Sequence, residues 1–430
     1  MTIQEVDVIG IGYGPSNIAL SIALAERYPV LRAVYLESQS GPFWQPGMLL
    51  DGSDIQNNPL RDLITPVNPR SRYSFVNYLH ETGRFFQYLN LGLHYPFRKE
   101  YASYVQWAAS NLKADVLYNT RASRVGRDRD RPGMANVVTG DGEVFRAKAV
   151  VVASGRTPNI PAPFPADGDA RVRHFTKYLD CVRQLEGIER PRVAVVGGSQ
   201  SAVELMLDLR NRYPSAQIHG VLRTFGYRQK DTSPFMDEVY FPEFIDYYYS
   251  ASDDSKRELS ADLRYTNYSA ADRDVIERLY LSLHEDRING TRRTQVLRST
   301  DVIRCHSGDD SVTLDLRERH SGAERSLDVD LVVLATGFKD LGADDEGRFE
   351  FLPKVLEGFR DDVSRGSEGQ ARVARDYRLE MQDGNAPSIY LNGLCETSHG
   401  MGDAGSFSLL ALRAEEIARS LVDRAAKPAI

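Results

Sequence analysis

The stretch VDVIGIGYGPSNIALSIALAER, Val6–Arg27, decides the reading of the whole chain. Its opening, Val6–Gly10, is short and apolar enough for a buried strand. Gly10, Gly12 and Gly14 then crowd into a turn ending at Pro15, and Asn17–Arg27 carries an apolar stripe at helical spacing. A second apolar run, AVYLE, ends at Glu37, about 25 residues past Gly12 and close to the roughly 20 of the dinucleotide fingerprint. Strand, glycine turn, helix and strand open a doubly wound sheet. The first glycine permits the tight turn, and the second lets backbone N–H groups approach a pyrophosphate at a helix N-terminus. The strand-end acid accepts from ribose hydroxyls. Gly10, Gly12, Gly14, Pro15 and Glu37 are therefore the expected contacts of a first dinucleotide, with Pro15 where the fingerprint usually has its last glycine.

A second copy, RVAVVGGSQSAVELMLDLRNRYP, begins at Arg192 and is followed by QIHGVLR ending at Arg223. Here the turn positions are Gly197, Ser199 and Ala202, with Gln200 and Ser201 at the helix start. Ser199 puts a side chain where the fingerprint prefers none, although its hydroxyl can itself donate to a phosphate. The following strand ends on Arg223 instead of an acid, with Arg228 and Lys230 close behind. Two readings stand: cations for a 2′-phosphate, hence NADP, or solvated surface charges. Each unit is backed by a strand running into a small-residue turn, AKAVVVASGRTPNIP and VDLVVLATGFKDL. Two such units, the first at the extreme N-terminus, match the plan of a flavoprotein that binds FAD first and a nicotinamide second.

Composition narrows the alternatives. The 430 residues carry 53 Lys+Arg against 60 Asp+Glu, a net charge of −7, whereas nucleic-acid binders are usually basic. No apolar run approaches the roughly 18 residues of a membrane span, and no export signal precedes Val6, so a cytoplasmic protein is expected. Cys181, Cys305 and Cys395 form neither a CxxC pair nor a zinc ladder, so no metal site is expected and a flavin disulfide reductase lacks its cysteine pair. Around His174 the sequence RVRHFTKYLDC lacks the glycine and tryptophan of an FxGxxxHxxxW-type motif, which argues against Baeyer–Villiger or sulfoxidising chemistry.

In order and approximate spacing, the blocks GIGYGPSNIALSIAL, FWQPGMLL, IQNNPLRDL, NPRSRYSFVNYLHETGRF, VVGGSQSAVE, DTSPFMDEVYFPEF, TNYS, ATGF and SHGMGD resemble the N-hydroxylating flavin monooxygenases, which oxidise the side-chain amine of ornithine or lysine. The resemblance implies that NADPH reduces FAD, that O2 forms a C4a-hydroperoxyflavin, and that a neutral primary amine attacks its distal oxygen. Because a free alkyl ammonium has a pKa of about 10.4, the site must desolvate the amine or accept its proton. A homotetramer is implied as well, with no nucleic-acid or membrane partner.

By position in these blocks, Phe43, Trp44, Gln45, Met48 and Gln56 are expected at the flavin. For Phe43, Trp44 and Met48 the alternative is plain aromatic and apolar core. Gln56, set among Ile55, Leu60 and Leu63, needs hydrogen-bond partners if buried. Gln56 and Asn267 are the expected catalytic residues. Arg61, Asp237, Asn267 and Ser408 are the expected substrate contacts. Arg61 stands where the family has a carboxylate-binding lysine, and Asp237 where ornithine enzymes have asparagine.

Asn57–Pro59 and the lengthened loop at Gly405–Phe407 also depart from the family pattern. Taken with Arg61, Arg72, Arg228 and Lys230, these departures allow a smaller, more cationic pocket for the α-amine of an acidic amino acid such as aspartate, beside the default diamino acid or diamine. A nucleotide-binding sensor without turnover is the remaining alternative. His399 and Asp403 in SHGMGD stand either near the flavin or as structural residues. The expected architecture is α/β, with two dinucleotide-binding (Rossmann-like) domains, 1–165 with 331–430 for FAD and 185–232 with 291–330 for NADPH, plus a small helical substrate segment, 233–290. The Gly- and charge-rich stretch 340–370 reads as a surface excursion.

Overall fold

The computed structural model describes residues 4–131, 133–165, 169–339, 352–367 and 369–426. The N-terminal motif forms the strand Gln4–Ile11 and the helix Pro15–Arg27, and the next strand is Ala33–Leu36. The first strand lies in the middle of a sheet, pairing in parallel with Ala33–Leu36 on one side and Val144–Val152 on the other. The long strand Val144–Val152 divides its far edge. Its first half joins the antiparallel strands Ala135–Thr139 and Ala122–Arg127, and its second half accepts Ser388–Leu391 in parallel. The C-terminal part of the chain thus returns to the first sheet, and its last helix, Leu410–Ala425, packs against Pro15–Arg27. That helix buries Leu410, Ala414, Ile417 and Leu421 at i, i+4, i+7 and i+11, one face of an amphipathic helix.

The second glycine motif opens a separate parallel sheet of five strands, in spatial order Thr294–Leu297, Gln217–Val221, Arg192–Val196, Leu331–Leu334 and Val172–His174. Its period-2 strands feed two cores. Val193, Val195, Leu331 and Val333 meet the helices Gln200–Arg212 and Arg273–Ile288, while Ala194, Val332 and Leu334 meet an antiparallel three-stranded sheet, Thr300–Ser307 to Glu324–Val329. Two expectations are corrected here. Leu331–Leu334 belongs to this second sheet, not to the first unit, and Val172–His174 joins it upstream of 185. The reason is register, since Leu331–Leu334 is apolar on both faces and slots between two parallel strands. The two units are linked by the antiparallel ribbon Thr157–Pro158 with Phe338–Lys339.

The aromatic, acidic segment is helical as its texture predicts, with Pro242–Ser250, Asp253–Asp262 and Arg273–Ile288. The last of these is no part of a separate unit, because Val275 and Leu279 sit in the core of the second sheet. Residues 340–351 lie outside the described part. Part of the expected surface excursion is not superficial, since the turn Lys354–Phe359 buries Val355, Leu356 and Phe359 in the first core. Weak periodicity concealed it because a 3₁₀ turn places apolar residues at neither helix nor strand spacing. No helix among the described residues is long and apolar enough to cross a membrane.

Candidate functional site between two glycine turns

Gly12 has a φ of +84°, and a Cβ there would sit 2.4 Å from the carbonyl oxygen of Ala153. The position is closed to side chains by both conformation and space. At Gly14 a Cβ would meet no protein atom within 4 Å, and no side chain caps the helix that follows. An open, uncapped helix start with free approach is what a pyrophosphate requires. Glu37 is buried and accepts from the Tyr13 N–H at 2.7 Å and the Gln39 N–H at 2.8 Å, which holds the carboxylate over the turn. Beneath the turn, Asn17 donates to the Gly12 carbonyl at 2.7 Å, and Asn392 donates to Asn17 at 3.1 Å and to the Ser16 carbonyl at 3.0 Å. Arg413 donates through Nε to Asn392 at 2.8 Å and pairs with Asp403 at 3.0 Å, both side chains fully buried. Asp403 is therefore structural, supporting the turn from below.

The second turn repeats the geometry. Gly197 has a φ of +143°, and a Cβ would lie 2.2 Å from the carbonyl oxygen of Ala335. Ser199 occupies the N-cap position without a side-chain capping hydrogen bond, and it, Gln200 and Ser201 are half-buried, with the Gln200 N–H taken by the Ala270 carbonyl at 2.9 Å. Arg223 is exposed just past the strand Gln217–Val221. Arg228 lies over the Tyr265 ring, 4.6 Å from its centroid.

Lys230 is not the solvated surface cation that one reading made it. It is buried, and its Nζ donates to Gln56 Oε1 at 2.9 Å while lying 3.7 Å from Asp272 Oδ1. Gln56 has a left-handed φ of +52°, its N–H donates to Asp54 Oδ1 at 2.9 Å, and its Nε2 is buried without a partner. Asp272 N–H donates to Gln200 Oε1 at 2.7 Å, and Gln200 donates to Glu204, which pairs with Arg98 at 3.2 Å. Burial pushes Asp54 up to about 6, with Glu204 and Asp272 adding to it, and burial raises Asp272 in the same direction against the pull of Lys230. A crevice of about 390 Å³ opens here, bordered by His94, Tyr95, Lys230, Asp272 and Glu277.

Arg61 and Asp237 lie in the same electrostatic neighbourhood. Burial raises the Asp237 carboxyl, with Arg61 and Lys230 opposing. Arg61 Nη1 reaches Ser408 Oγ at 3.4 Å, and Ser408 donates to Asn57 Oδ1 at 3.1 Å. Asn267 ends the short turn Leu263–Thr266 next to Tyr268. The expected cationic pocket does not assemble. Arg72 is exposed over Tyr73, Arg228 is stacked on Tyr265, and Lys230 is committed to Gln56 and Asp272.

Among the expected flavin contacts, Trp44 packs edge-on against Phe407 at 5.1 Å, Phe43 is partly exposed and Gln45 is exposed. Met48 lies in the second core with Phe175 and Tyr178, so its side chain serves packing. Phe407, from the lengthened loop, also meets Tyr101 at 4.9 Å and fills the aromatic core. Leu60, expected to wall in Gln56, is 52% exposed.

The sequence offered no sign of a further cluster. Tyr268 donates to Glu396, and Arg156 donates to the Tyr268 hydroxyl at 3.0 Å while lying 3.5 Å from Glu396. These three residues come from three distant blocks, and only adjacency to ASG and TNYS could have flagged two of them.

His399 is fully buried, stacked on Tyr377 at 4.1 Å, and donates from Nε2 to the Arg375 carbonyl at 3.2 Å. Burial pushes it down to about 4. Its neutral form therefore contributes stability that is complete above its ordinary value of about 6.5 and is lost as pH falls toward 4. A His399→Phe variant should lose less Tm than the parent between pH 7 and pH 5, and equal losses in thermal melts would remove this role.

The family described as L-lysine 6-monooxygenase/L-ornithine 5-monooxygenase matches residues 4–340 of the chain. The L-ornithine N(5)-monooxygenase of Pseudomonas aeruginosa is 35% identical over 427 residues, spanning 96% of this chain and 93% of that protein. The Burkholderia cepacia enzyme of the same name is 37% identical over 431 residues, spanning 96% and 94%. Among solved structures, ornithine hydroxylase PvdA from P. aeruginosa matches with a TM-score of 0.89 at 35% identity, covering 98% of this chain and all of that one. The ornithine N-hydroxylase KtzI of Kutzneria sp. 744, in its form with reduced FAD, NADP+ and L-ornithine, matches with a TM-score of 0.91 at 31% identity, again covering 98% and 100%.

Proposed function

Because the chain belongs to the L-lysine 6-monooxygenase/L-ornithine 5-monooxygenase family, the N-hydroxylating flavin monooxygenases that use FAD and NADPH, we propose that its substrate is ornithine, hydroxylated at the side-chain amine. The observation that carries this reading is Arg61 at Ser408, near enough to Asp237 to act on its carboxyl together with Lys230, which holds Gln56. An α-amino acid presents a carboxylate and an ammonium side by side. Arg61 suits the first through charge-assisted hydrogen bonds, with Ser408 beside it, and Asp237 suits the second. Asn267 is the further backbone contact.

The turns fit their cofactors: Gly10, Gly12, Gly14 and Glu37 for FAD, and Gly197, Ser199 and Ser201 with Arg223 for NADPH, while Gln200 is engaged by Asp272, Glu204 and the Ala270 carbonyl. FAD, when bound and reduced by NADPH, supplies the O2 activation that no side chain provides. What the chain itself contributes is placement and exclusion of water. The burial that raises Asp54, Asp237 and Asp272 marks this side of the site as withdrawn from water. An acidic substrate is disfavoured, since the relatives named above are ornithine enzymes and, of Arg61, Arg72, Arg228 and Lys230, the last three are engaged or placed elsewhere.

The test is NADPH consumption with detection of hydroxylated amine across ornithine, lysine, small diamines and aspartate. Product from ornithine is expected, and flavin-loaded protein that hydroxylates no diamino acid would overturn the reading. Arg61→Ala should retain FAD and raise KM for ornithine about 10- to 100-fold, the loss of a charged hydrogen-bonding group. An unchanged KM would remove Arg61 from the substrate.

A further inference from the structure

We propose that Lys230 is a positioning residue that fixes which end of the Gln56 amide is offered to the site; the proposal rests on the functional reading above. The two ends of a glutamine amide have the same shape and opposite hydrogen-bonding character, so a half-turn of the side chain exchanges an acceptor for two donors. An ammonium has three donors and no acceptor. With Lys230 Nζ 2.9 Å away, only Oε1 can face it, because the flipped amide would set N–H against N–H₃⁺. Nε2 is thereby kept as the remaining donor, and it is buried with no partner in the chain. A donor left unsatisfied by the protein is reserved for a group that enters the site.

Lys230 cannot easily move to release the amide. Its own N–H donates to the Ala271 carbonyl at 2.9 Å, and the Ala271 N–H donates to the Arg228 carbonyl at 2.9 Å. Asp272, beside its ammonium, is held by Gln200 at the start of the second dinucleotide helix. Gln56 is itself pinned at a left-handed φ by the N–H contact to Asp54. The orientation of a residue in the first unit is therefore set by a cation anchored on the second.

The experiment uses the full chain loaded with FAD and reads the flavin absorption spectrum and NADPH-driven release of H2O2, both without any amine. Lys230→Met should shift the spectrum and change the rate of peroxide release by about fivefold or more, whereas Lys230→Arg should stay within about twofold of the parent. In a Gln56→Ala background, Lys230→Met should add less than about twofold, since its effect runs through the amide. An unaltered Lys230→Met protein, or an equal effect in the Gln56→Ala background, overturns the proposal. If Lys230→Met does not hold FAD, Gln56→Glu decides, because it keeps an acceptor toward Lys230 and deletes the donor. It should match Gln56→Ala, and parental behaviour would overturn the proposal. Absence of hydroxylated amine from the parent protein would end the substrate reading alone, since neither readout here uses an amine.

Discussion

Gly12→Ala should emerge from purification colourless, without bound flavin. The added Cβ would stand 2.4 Å from a backbone oxygen at the end of the strand Val144–Val152, and no flexible side chain can yield there. The φ of +84° adds strain of about 1–3 kcal/mol for a residue that is not glycine. The turn must open, and the N–H groups it aims at the pyrophosphate then lose their alignment. Gly14→Ala is the control, since its Cβ would meet no protein atom and its φ is −83°. That variant should fold as the parent does, so any flavin it loses measures the space the ligand needs. A yellow Gly12→Ala protein with stoichiometric FAD would show that this turn is not the flavin site.

Arg413→Leu is expected to be the most destabilising single change in the first unit. It leaves the Asp403 carboxylate fully buried without its cation, at a cost of about 3–5 kcal/mol, on the order of 10 °C in Tm. It also strips hydrogen bonds from Asn392, Ser16 and the Asp403 carbonyl, which together support the helix start after Gly14. FAD affinity should fall with stability. Arg413→Met combined with Asp403→Asn should recover part of the loss, because no unpaired charge remains. A Tm within 2 °C of the parent for the single variant, about the scatter of surface substitutions, would refute the assignment.

Both dinucleotide turns were legible because their chemistry is local. A close approach of backbone to backbone demands glycine at fixed offsets, and Gly10, Gly12 and Gly197 fall at those offsets within a few residues of a strand and a helix. The helical texture of the segment 233–290 was equally local. Assignment of strands to sheets was not, because Leu331–Leu334 is an apolar run that suits either sheet until its neighbours are known. Charge was the least legible property. Lys230, Arg72 and Arg228 look alike as solvated cations or pocket cations, yet one is buried against an amide, one is exposed over a tyrosine and one is stacked on a ring.

What the sequence alone determined, then, was the plan: two nucleotide-binding units, their order, and a family whose blocks run through the chain. Only the tertiary structure decided the site, because its working contacts join residues far apart in the chain: Lys230 to Gln56, Arg413 to Ser16, and Arg156 to Tyr268 and Glu396. Burial, which sets whether Asp54 or His399 carries a charge near neutral pH, is a property of everything packed around a group. It exists only once the fold has closed.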